Sequence, residues 1–302
     1  MMLLSPSKRK WIQQEFHDLH KSTLMDVAML LTHGRNTDLV EAFCDHNSML
    51  TTTAQQAGLI AERWTIDDYD LSQESDFQLA LQRLRELRPK RLWLSPECGP
   101  FSQMQNVNQR TPAQVASLIA KREKGFKQWR NCIRLAWAQL ELGGYFYIEQ
   151  PQTCMTWKLE DTLTRQLLDE LSSYCIRDQC FDGLTHPKSG KPMRKSTRIQ
   201  SNDSSFTLQF GQRCIGHECE HAHVEGGKVT YGTSFYPRTF CQRAIHLFKN
   251  QHVSTPKRFV KRLADARQGE ETAHTCNQCG SPTLINNCDG CPKCADAFPA
   301  IA

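Results

Sequence analysis

The chain has 302 residues, of which 39% are hydrophobic and 23% charged, as expected for a globular protein with a full hydrophobic core. Its net charge of +5 is too small for overall attraction to nucleic acid, so any such affinity has to come from local basic patches. No apolar run approaches the roughly 18 residues that a membrane span requires, and we expect no secretory signal. With 14 cysteines, several of them at metal-binding spacing, we expect an intracellular protein that is not secreted and has no membrane partner.

The first elements predict a βαβ unit. Apolar residues at helical spacing predict a helical extension within residues 1–35. A strand over 38–43, a turn and helix over 44–58 and a second strand over 60–66 follow. The second strand ends at Asp67, with Asp70 close behind, and an acid at this place commonly holds the ribose hydroxyls of a nucleoside cofactor. The first turn lacks the glycines of a dinucleotide fingerprint. Asn47 and Ser48 can offer backbone N–H groups there, although an ordinary βα turn explains them equally well.

The next strand presents a cysteine. A helix over 75–87 leads to an apolar strand at 92–94, and the chain then turns through Pro96 to Cys98. A nucleophile at the carboxyl end of a parallel strand lies where open α/β sheets place their chemistry. A buried structural cysteine is the alternative, since free cysteines are often buried.

A carboxylate follows the strand after that. A helix from Thr111 to about residue 142 ends at Gly143-Gly144. The apolar strand 145–148 then delivers Glu149, which burial would allow to exchange a proton with a ring nitrogen. A helix cap or a loop salt bridge is the alternative. Alternating strands and helices predict a mostly parallel sheet covered by helices on both faces.

In this order the motifs resemble those of the cytosine-C5 methyltransferase family, over roughly residues 38–200, and in particular a divergent branch found in algal and mobile-element genomes. They are Glu41-Ala42-Phe43, Pro96-Glu97-Cys98-Gly99-Pro100-Phe101-Ser102, Ile148-Glu149-Gln150-Pro151 and, loosely, residues 194–198. The resemblance implies a Rossmann-like class I methyltransferase fold that binds S-adenosylmethionine. It implies that Cys98 attacks C6 of a cytosine, that Glu149 holds the N3/N4 edge of the base and that Arg198 is a backbone or positioning contact. The cofactor contacts that we assign with it are Phe43, Asn47, Ser48, Asp67, Asp70 and Pro96.

The chain departs from the family pattern in three places. Residues 44–48 replace the glycine-rich cofactor loop, Glu97 stands where the family has a second proline, and Gln150 replaces an asparagine. A carboxylate at Glu97, if close, would raise the pKa of the Cys98 thiol. These departures keep two alternatives open. One is a catalytically decayed methyltransferase fold that serves as a zinc-ribbon nucleic-acid-binding protein, and the other is a methyltransferase for an exocyclic amino group, in which Cys98 is dispensable.

Residues 183–202 predict a basic loop that contains Gly190 and Pro192, both common in loops. Such a strip can contact the phosphates of nucleic acid, which we expect to be DNA rather than RNA; a solvated loop is the alternative. The predicted contacts are Lys188, Lys191, Arg194 and Lys195, with Arg198 at the end of the strip.

Cysteine and histidine concentrate in two places. Cys214, His217, Cys219, His221 and His223 offer ligands for a metal, with Cys180 and Cys241 as further partners, although a polar turn explains them equally well. Near the end, two Cys-x2-Cys pairs indicate a structural zinc ribbon that binds Zn²⁺ and offers a surface for nucleic acid or a protein partner. Its ligands are Cys276, Cys279, Cys291 and Cys294, with Cys288 as an alternate. The predicted domains are therefore 1–35, the methyltransferase-like domain 36–261, a linker 262–274 and the ribbon 275–302.

Overall fold

The computed structural model describes residues 37–107, 111–214, 220–222, 224, 229, 232–250, 274–275 and 282–283. All of these belong to one unit, Thr37–Ala302. The predicted extension 1–35 lies outside the described residues. So do nearly all of the linker and the ribbon, including Cys276, Cys279, Cys288, Cys291 and Cys294.

Strands and helices alternate through the first part of the chain, as the apolar periodicity predicts. The strands of the main sheet are β1 (Leu39–Ala42), β2 (Ala61–Trp64), β3 (Arg91–Leu94), β4 (Tyr145–Pro151), β5 (Ser173–Asp178) and β6 (Ser196–Ser201). The described helices are α1 (Met49–Gln56), α2 (Glu74–Leu87), α3 (Met104–Val107), α4 (Pro112–Glu141), α5 (Thr162–Arg165), α6 (Ser204–Phe210) and α7 (Arg238–Asn250). Helical turns also occur at Gly99–Phe101, Met155–Lys158, Gln166–Glu170 and Gln179–Asp182. Two short strands, β7 (His274–Thr275) and β8 (Pro282–Thr283), pair separately.

The six-stranded sheet has the order β2-β1-β3-β4-β6-β5. Strands β1, β2, β3 and β4 are joined by parallel pairing, and β6 runs antiparallel to both β4 and β5. Five strands therefore point the same way and β6 alone is reversed. The prediction of a mostly parallel α/β sheet is confirmed, and the carboxyl ends of β1 to β4 meet at one edge.

One strand replaces part of the predicted basic loop. The sequence predicts a loop over residues 183–202, whereas β6 occupies the last part of that stretch. It is polar, and its side chains are satisfied inside the fold: the amide of Gln200 donates to the Leu168 carbonyl at 2.7 Å, and the hydroxyl of Ser201 donates to the Phe146 carbonyl at 2.6 Å. A polar sequence can therefore form an inner strand, because its hydrogen bonds are made within the protein.

Both faces of the sheet are covered by helices. Alternation along each strand sends successive side chains to opposite faces. One face packs against α2 and α4, and the other against α1, α6 and α7. The first core includes Val40, Leu92, Phe146, Phe77, Leu84, Trp129 and Leu135, and the second includes Leu39, Trp93, Tyr147, Leu50, Phe206 and Phe240. Of the helices in the described ranges, not one combines the length and apolar character needed to cross a bilayer.

The long helix α4 supports the turn that carries Cys98. Thr111 caps its start through a reciprocal capping box with Gln114. Farther along, Gly125 faces Phe101, and a Cβ at this glycine would lie 2.6 Å from the Phe101 ring. The absence of a side chain at Gly125 therefore lets α4 approach the turn after β3 closely.

A fully buried ion pair stabilises the carboxyl end of β5. The Arg177 guanidinium donates to both carboxylate oxygens of Asp182, at 2.7 and 2.6 Å, and to the Phe210 carbonyl at 2.7 Å. Both charged side chains have no exposed surface. The pair connects β5 with the helical turn Gln179–Asp182 and with the end of α6.

Candidate active site

Cys98 lies in the turn after β3, at the edge where the parallel strands end. Cys98 is half-buried, and the pKa of its thiol is raised to about 12, first by burial and then by the negative charge of Glu149; the positive charge of Lys195 opposes this. The side chain of Glu97 is exposed. The carboxylate that raises the thiol pKa is thus Glu149 of the adjacent strand, whereas the sequence suggests Glu97 for that effect.

Glu149 lies within β4 instead of just after it. The strand extends to Pro151 because its last residues pair with β6, where Glu149 is opposite Ile199. Glu149 as a whole residue is only 7% exposed. Its Oε2 accepts a hydrogen bond from the Tyr236 hydroxyl at 2.9 Å, and Oε1 has no hydrogen-bond partner among the described residues.

Burial raises the pKa of Glu149, while the charge of Lys195 and the side chains of Tyr236 and Thr197 lower it; the net direction is upward. A carboxyl group whose neutral form is favoured by burial can donate a proton to a bound base. The unpartnered Oε1 is the atom through which it would do so.

Tyr236 is a site residue that the sequence does not reveal. Besides donating to Glu149, its hydroxyl lies 2.7 Å from Ser95 Oγ and accepts from Trp93 Nε1 at 3.1 Å. Its ring stacks on Phe240 with centroids 4.7 Å apart. Tyr236 follows Glu149 by 87 residues in an irregular segment, and no spacing or periodicity marks it. Only the packing of α7 against the sheet brings it to the carboxylate.

Lys195, predicted as a nucleic-acid contact, lies at the active site. It precedes β6, is half-buried, and its Nζ donates to the Thr233 carbonyl at 2.7 Å. Its charge lowers the pKa of both Cys98 and Glu149. The cation therefore favours the thiolate of Cys98.

The other predicted phosphate contacts lie on an exposed hairpin just before it. A bridge between Thr185 and Pro192 closes this hairpin. Lys188, Lys191 and Arg194 are exposed, and Lys191 Nζ is 3.4 Å from the carboxylate of Glu220.

The structure does not bring Arg198 to Cys98 and Glu149. In the β4–β6 register Arg198 is opposite Gln150, so it points to the other face of the sheet from Glu149. Its guanidinium lies 4.5 Å from the Trp157 ring centroid and 4.1 Å from that of Tyr174. Burial lowers its pKa. Arg198 thus stacks between two aromatic rings.

Pro96 and Gln150 connect the two strands that carry the reactive pair. The Gln150 side-chain amide donates to the Pro96 carbonyl. Pro96 itself is buried. The bond holds the turn of Cys98 against the end of β4.

The turn after β1 is closed by its own hydrogen bonds. The N–H groups of Asn47 and Ser48 donate to the side chain and the carbonyl of Asp45, both at 2.9 Å. The Ser48 hydroxyl caps α1 and donates to the buried carboxylate of Glu41. Phe43 adopts a left-handed backbone conformation with φ 60°. The two N–H groups that the sequence predicts as cofactor donors therefore form hydrogen bonds within the turn.

An exposed acid marks the end of β2. Asp67 Oδ2 forms a hydrogen bond with His46 Nε2 at 2.8 Å, and both side chains are mostly exposed. The two oxygens of Asp70 are held by Ser72 and, at 3.3 Å, by Lys124. Burial alone would raise the Asp70 pKa, but these partners lower it overall. Asp67 therefore fits the ribose of a nucleoside cofactor better than Asp70 does.

No family model and no curated protein matches the chain. Two solved structures are similar to it: the Entamoeba histolytica methyltransferase EhMeth, with TM-score 0.31 and 12% identity over 63% of this chain and 58% of that one, and the S. pombe Dnmt2 methyltransferase, with TM-score 0.32 and 12% identity over 61% and 57%. The chain spans less than two thirds of either protein. Likeness at this level carries no argument about activity.

Proposed function

We propose that the chain is an S-adenosylmethionine-dependent methyltransferase of class I fold that methylates C5 of cytosine in nucleic acid, DNA rather than RNA. The observation that supports this best is the pairing of Cys98 with Glu149 at the carboxyl edge of adjacent parallel strands. The pair combines a half-buried thiol with a buried acid, one oxygen of which has no hydrogen-bond partner among the described residues.

The two residues have complementary tasks. C5 of cytosine is a weak nucleophile until a thiolate adds at C6. As the Cys98 sulfur bonds to C6, the C5–C6 π electrons form a C4–C5 double bond and the C4–N3 π electrons move to N3, which takes a proton from Glu149. The electron-rich C5 of this enamine would then bond to the methyl group, and the donor sulfur would keep the electrons of the broken S–CH3 bond. Loss of the C5 proton to solvent and return of the S–C6 electrons to sulfur release the product, while N3 gives its proton back to Glu149.

The protonation states of the pair support each other. Ionised Glu149 raises the pKa of Cys98, and neutral Glu149 does not. Because burial favours the neutral acid, the state that can protonate N3 is also the state in which the thiolate forms more readily. Lys195 adds a positive charge that stabilises the thiolate.

S-adenosylmethionine would supply a methyl group on a positively charged sulfur. Asp67 would hold its ribose hydroxyls, and Phe43 and Pro96 would line the ends of β1 and β3 beside it. The backbone N–H groups of Asn47 and Ser48 are used within the turn, so we assign them no contact to the cofactor.

The exposed hairpin supports a nucleic-acid substrate. Its cations, Lys188, Lys191 and Arg194, lead along the chain directly to Lys195 at the site. A phosphate backbone bound by the hairpin would lie beside the segment that enters β6. A target base would still have to leave its stack to reach Glu149.

Calorimetric titration with S-adenosylmethionine and S-adenosylhomocysteine tests the cofactor assignment. We expect micromolar binding that weakens about tenfold or more in Asp67→Ala, because the loss of hydrogen bonds between a carboxylate and the ribose costs about 1.5 kcal/mol or more. Asp169→Ala, which removes an exposed acid paired with Arg165, is the matched control and should bind normally. No heat from any protein would overturn the enzyme proposal.

The Glu149→Gln variant should change the pH dependence of kcat/KM. In the wild type, above the Glu149 pKa each pH unit increases thiolate about tenfold and decreases the neutral acid about tenfold, so the rate stays flat up to the Cys98 pKa of about 12. Glutamine does not titrate, so the variant should be slower and its rate should rise about tenfold per unit. Rates measured from about pH 6 to 10 distinguish the two slopes.

Tyr236→Phe is the control for this experiment, since it keeps the acid and removes one hydrogen bond that lowers its pKa. The start of the flat region should move to higher pH. Parallel profiles for wild type and Glu149→Gln would contradict the assignment of Glu149 as the proton donor.

A second candidate function is a nucleic-acid-binding protein on a methyltransferase fold that has lost catalysis. The closed turn at Asn47 and Ser48 and the high pKa of the Cys98 thiol favour it. This candidate predicts no cofactor binding, and nucleic-acid binding that is unchanged in Cys98→Ala.

A further inference from the structure

Three potential metal ligands converge beyond the end of β5. The Sγ atoms of Cys180 and Cys214 and a ring nitrogen of His221 lie within 4.8 Å of one another. Cys180 is buried, and the other two are half-buried. Cys241, the other cysteine considered from the sequence, lies in the core within α7 and is not part of this group.

The backbone holds the three residues in place. Cys180 belongs to the helical turn that the buried Arg177–Asp182 pair stabilises. The N–H of Cys214 donates to Asp178 Oδ2 at 2.6 Å. Next to His221, the N–H of Ala222 donates to the Pro192 carbonyl at 2.9 Å. The ligands are therefore prearranged by contacts that do not involve their own side chains.

The spacing suits tetrahedral zinc. With a Zn–S bond of about 2.3 Å and a Zn–N bond of about 2.0 Å, a tetrahedral angle puts sulfur and nitrogen about 3.5 Å apart. Cys214 Sγ and His221 Nε2 are 3.6 Å apart. This distance matches one edge of the coordination tetrahedron.

The charges around the group favour a cation. The fully buried carboxylate of Asp178 adjoins the group, since its Oδ2 accepts the hydrogen bond from the Cys214 N–H. Two thiols close to a carboxylate form a site whose negative charge a cation would neutralise. A divalent metal would displace both thiol protons to the buffer and compensate the negative charge.

We propose that Cys180, Cys214 and His221 bind a zinc ion through three of its four tetrahedral positions, independent of the predicted C-terminal ribbon. The metal joins the turn after β5 to the segment that follows α6. That segment includes Thr233, whose carbonyl accepts a hydrogen bond from Lys195, and Tyr236, whose hydroxyl donates one to Glu149. Zinc would thus anchor the start of the chain segment that completes the active site.

Zinc content of the full chain tests this, with the ribbon disabled by Cys276→Ser and Cys279→Ser. Purified in reducing buffer with zinc, this protein should retain about one equivalent of metal. Adding Cys214→Ser or His221→Gln should remove it. Cys175→Ala, which truncates a buried thiol in β5, is the matched control and should leave the metal in place. Cobalt substitution gives a second readout, since a thiolate-to-cobalt absorption band should disappear with Cys214→Ser.

His221→Gln keeps the proposal testable where loss of a cysteine prevents folding, because its side chain is only half-buried. Zinc content that is unchanged by both substitutions would overturn the proposal. A disulfide between Cys180 and Cys214 in protein prepared with reductant and zinc, seen as a loss of two hydrogens in mass, would also overturn it and make the pair a redox element.

Discussion

Cys98→Ala is expected to reduce methyl transfer to cytosine at least about 10³-fold, because the thiolate forms the covalent bond that activates C5. A strand that contains 5-fluorocytosine should form a stable adduct with the wild type, since fluorine at C5 cannot leave as a proton. The same strand should form none with the variant. Gel mobility under denaturing conditions and intact mass measure the adduct, and DNA and RNA strands compared side by side identify the preferred substrate.

Cys154→Ala is the matched control for this experiment. Its thiol is buried, and its presence contributes to the raised pKa of Cys98. We expect Cys154→Ala to keep the adduct and most of the activity. Methyl transfer that survives in Cys98→Ala would contradict the C5 mechanism and assign the enzyme to exocyclic amino groups instead.

Asp182→Ala should lower the free energy of unfolding by about 3–5 kcal/mol. The substitution leaves the Arg177 guanidinium fully buried with the Phe210 carbonyl and without its counter-charge. Chemical unfolding monitored by tryptophan fluorescence measures the change. The same variant should also weaken zinc binding, because Cys180 belongs to the turn that the pair holds.

Two comparisons make this result specific. Asp169→Ala breaks an exposed pair with Arg165, which should cost at most about 1 kcal/mol. The double variant Arg177→Met, Asp182→Leu removes both charges and should recover much of the lost stability. A cost for Asp182→Ala no larger than that for Asp169→Ala would show that Arg177 finds other compensation.

Strands β1, β3 and β4 could be predicted from sequence because each is largely a short apolar run between turns, whereas β2 is half charged and follows from the alternation of strands and helices. Cys98 and Glu149 were identifiable for the same reason, since each lies near the end of such a run. Strand β6 could not be found in this way. Its residues read as a polar loop, and only their partners in neighbouring elements, such as Leu168 and Phe146, make it a strand.

Contacts between residues that are far apart in the sequence could not be predicted either. Tyr236 reaches Glu149 through the packing of α7, which local patterns do not encode. Lys195 reads as one more cation in a basic strip, yet its position at the start of β6 brings it to the active site. In the second metal-ligand group the sequence offers several cysteines and histidines, and the fold determines that Cys180, and not Cys241, lies with Cys214 and His221.

The pairing of β4 with the reversed strand β6 also constrains how the chain can change in evolution. Insertions in the exposed hairpin before Lys195 would change how far its cations extend toward a substrate. They would leave Cys98 and Glu149 in place. A single residue inserted or deleted within β4 would shift its register by one, so that a neighbouring residue takes the position of Glu149 and the Glu149 side chain points to the opposite face of the sheet. Divergent homologues should therefore vary freely in the length of the hairpin while keeping β4 uninterrupted, and engineered changes of specificity should begin at the hairpin.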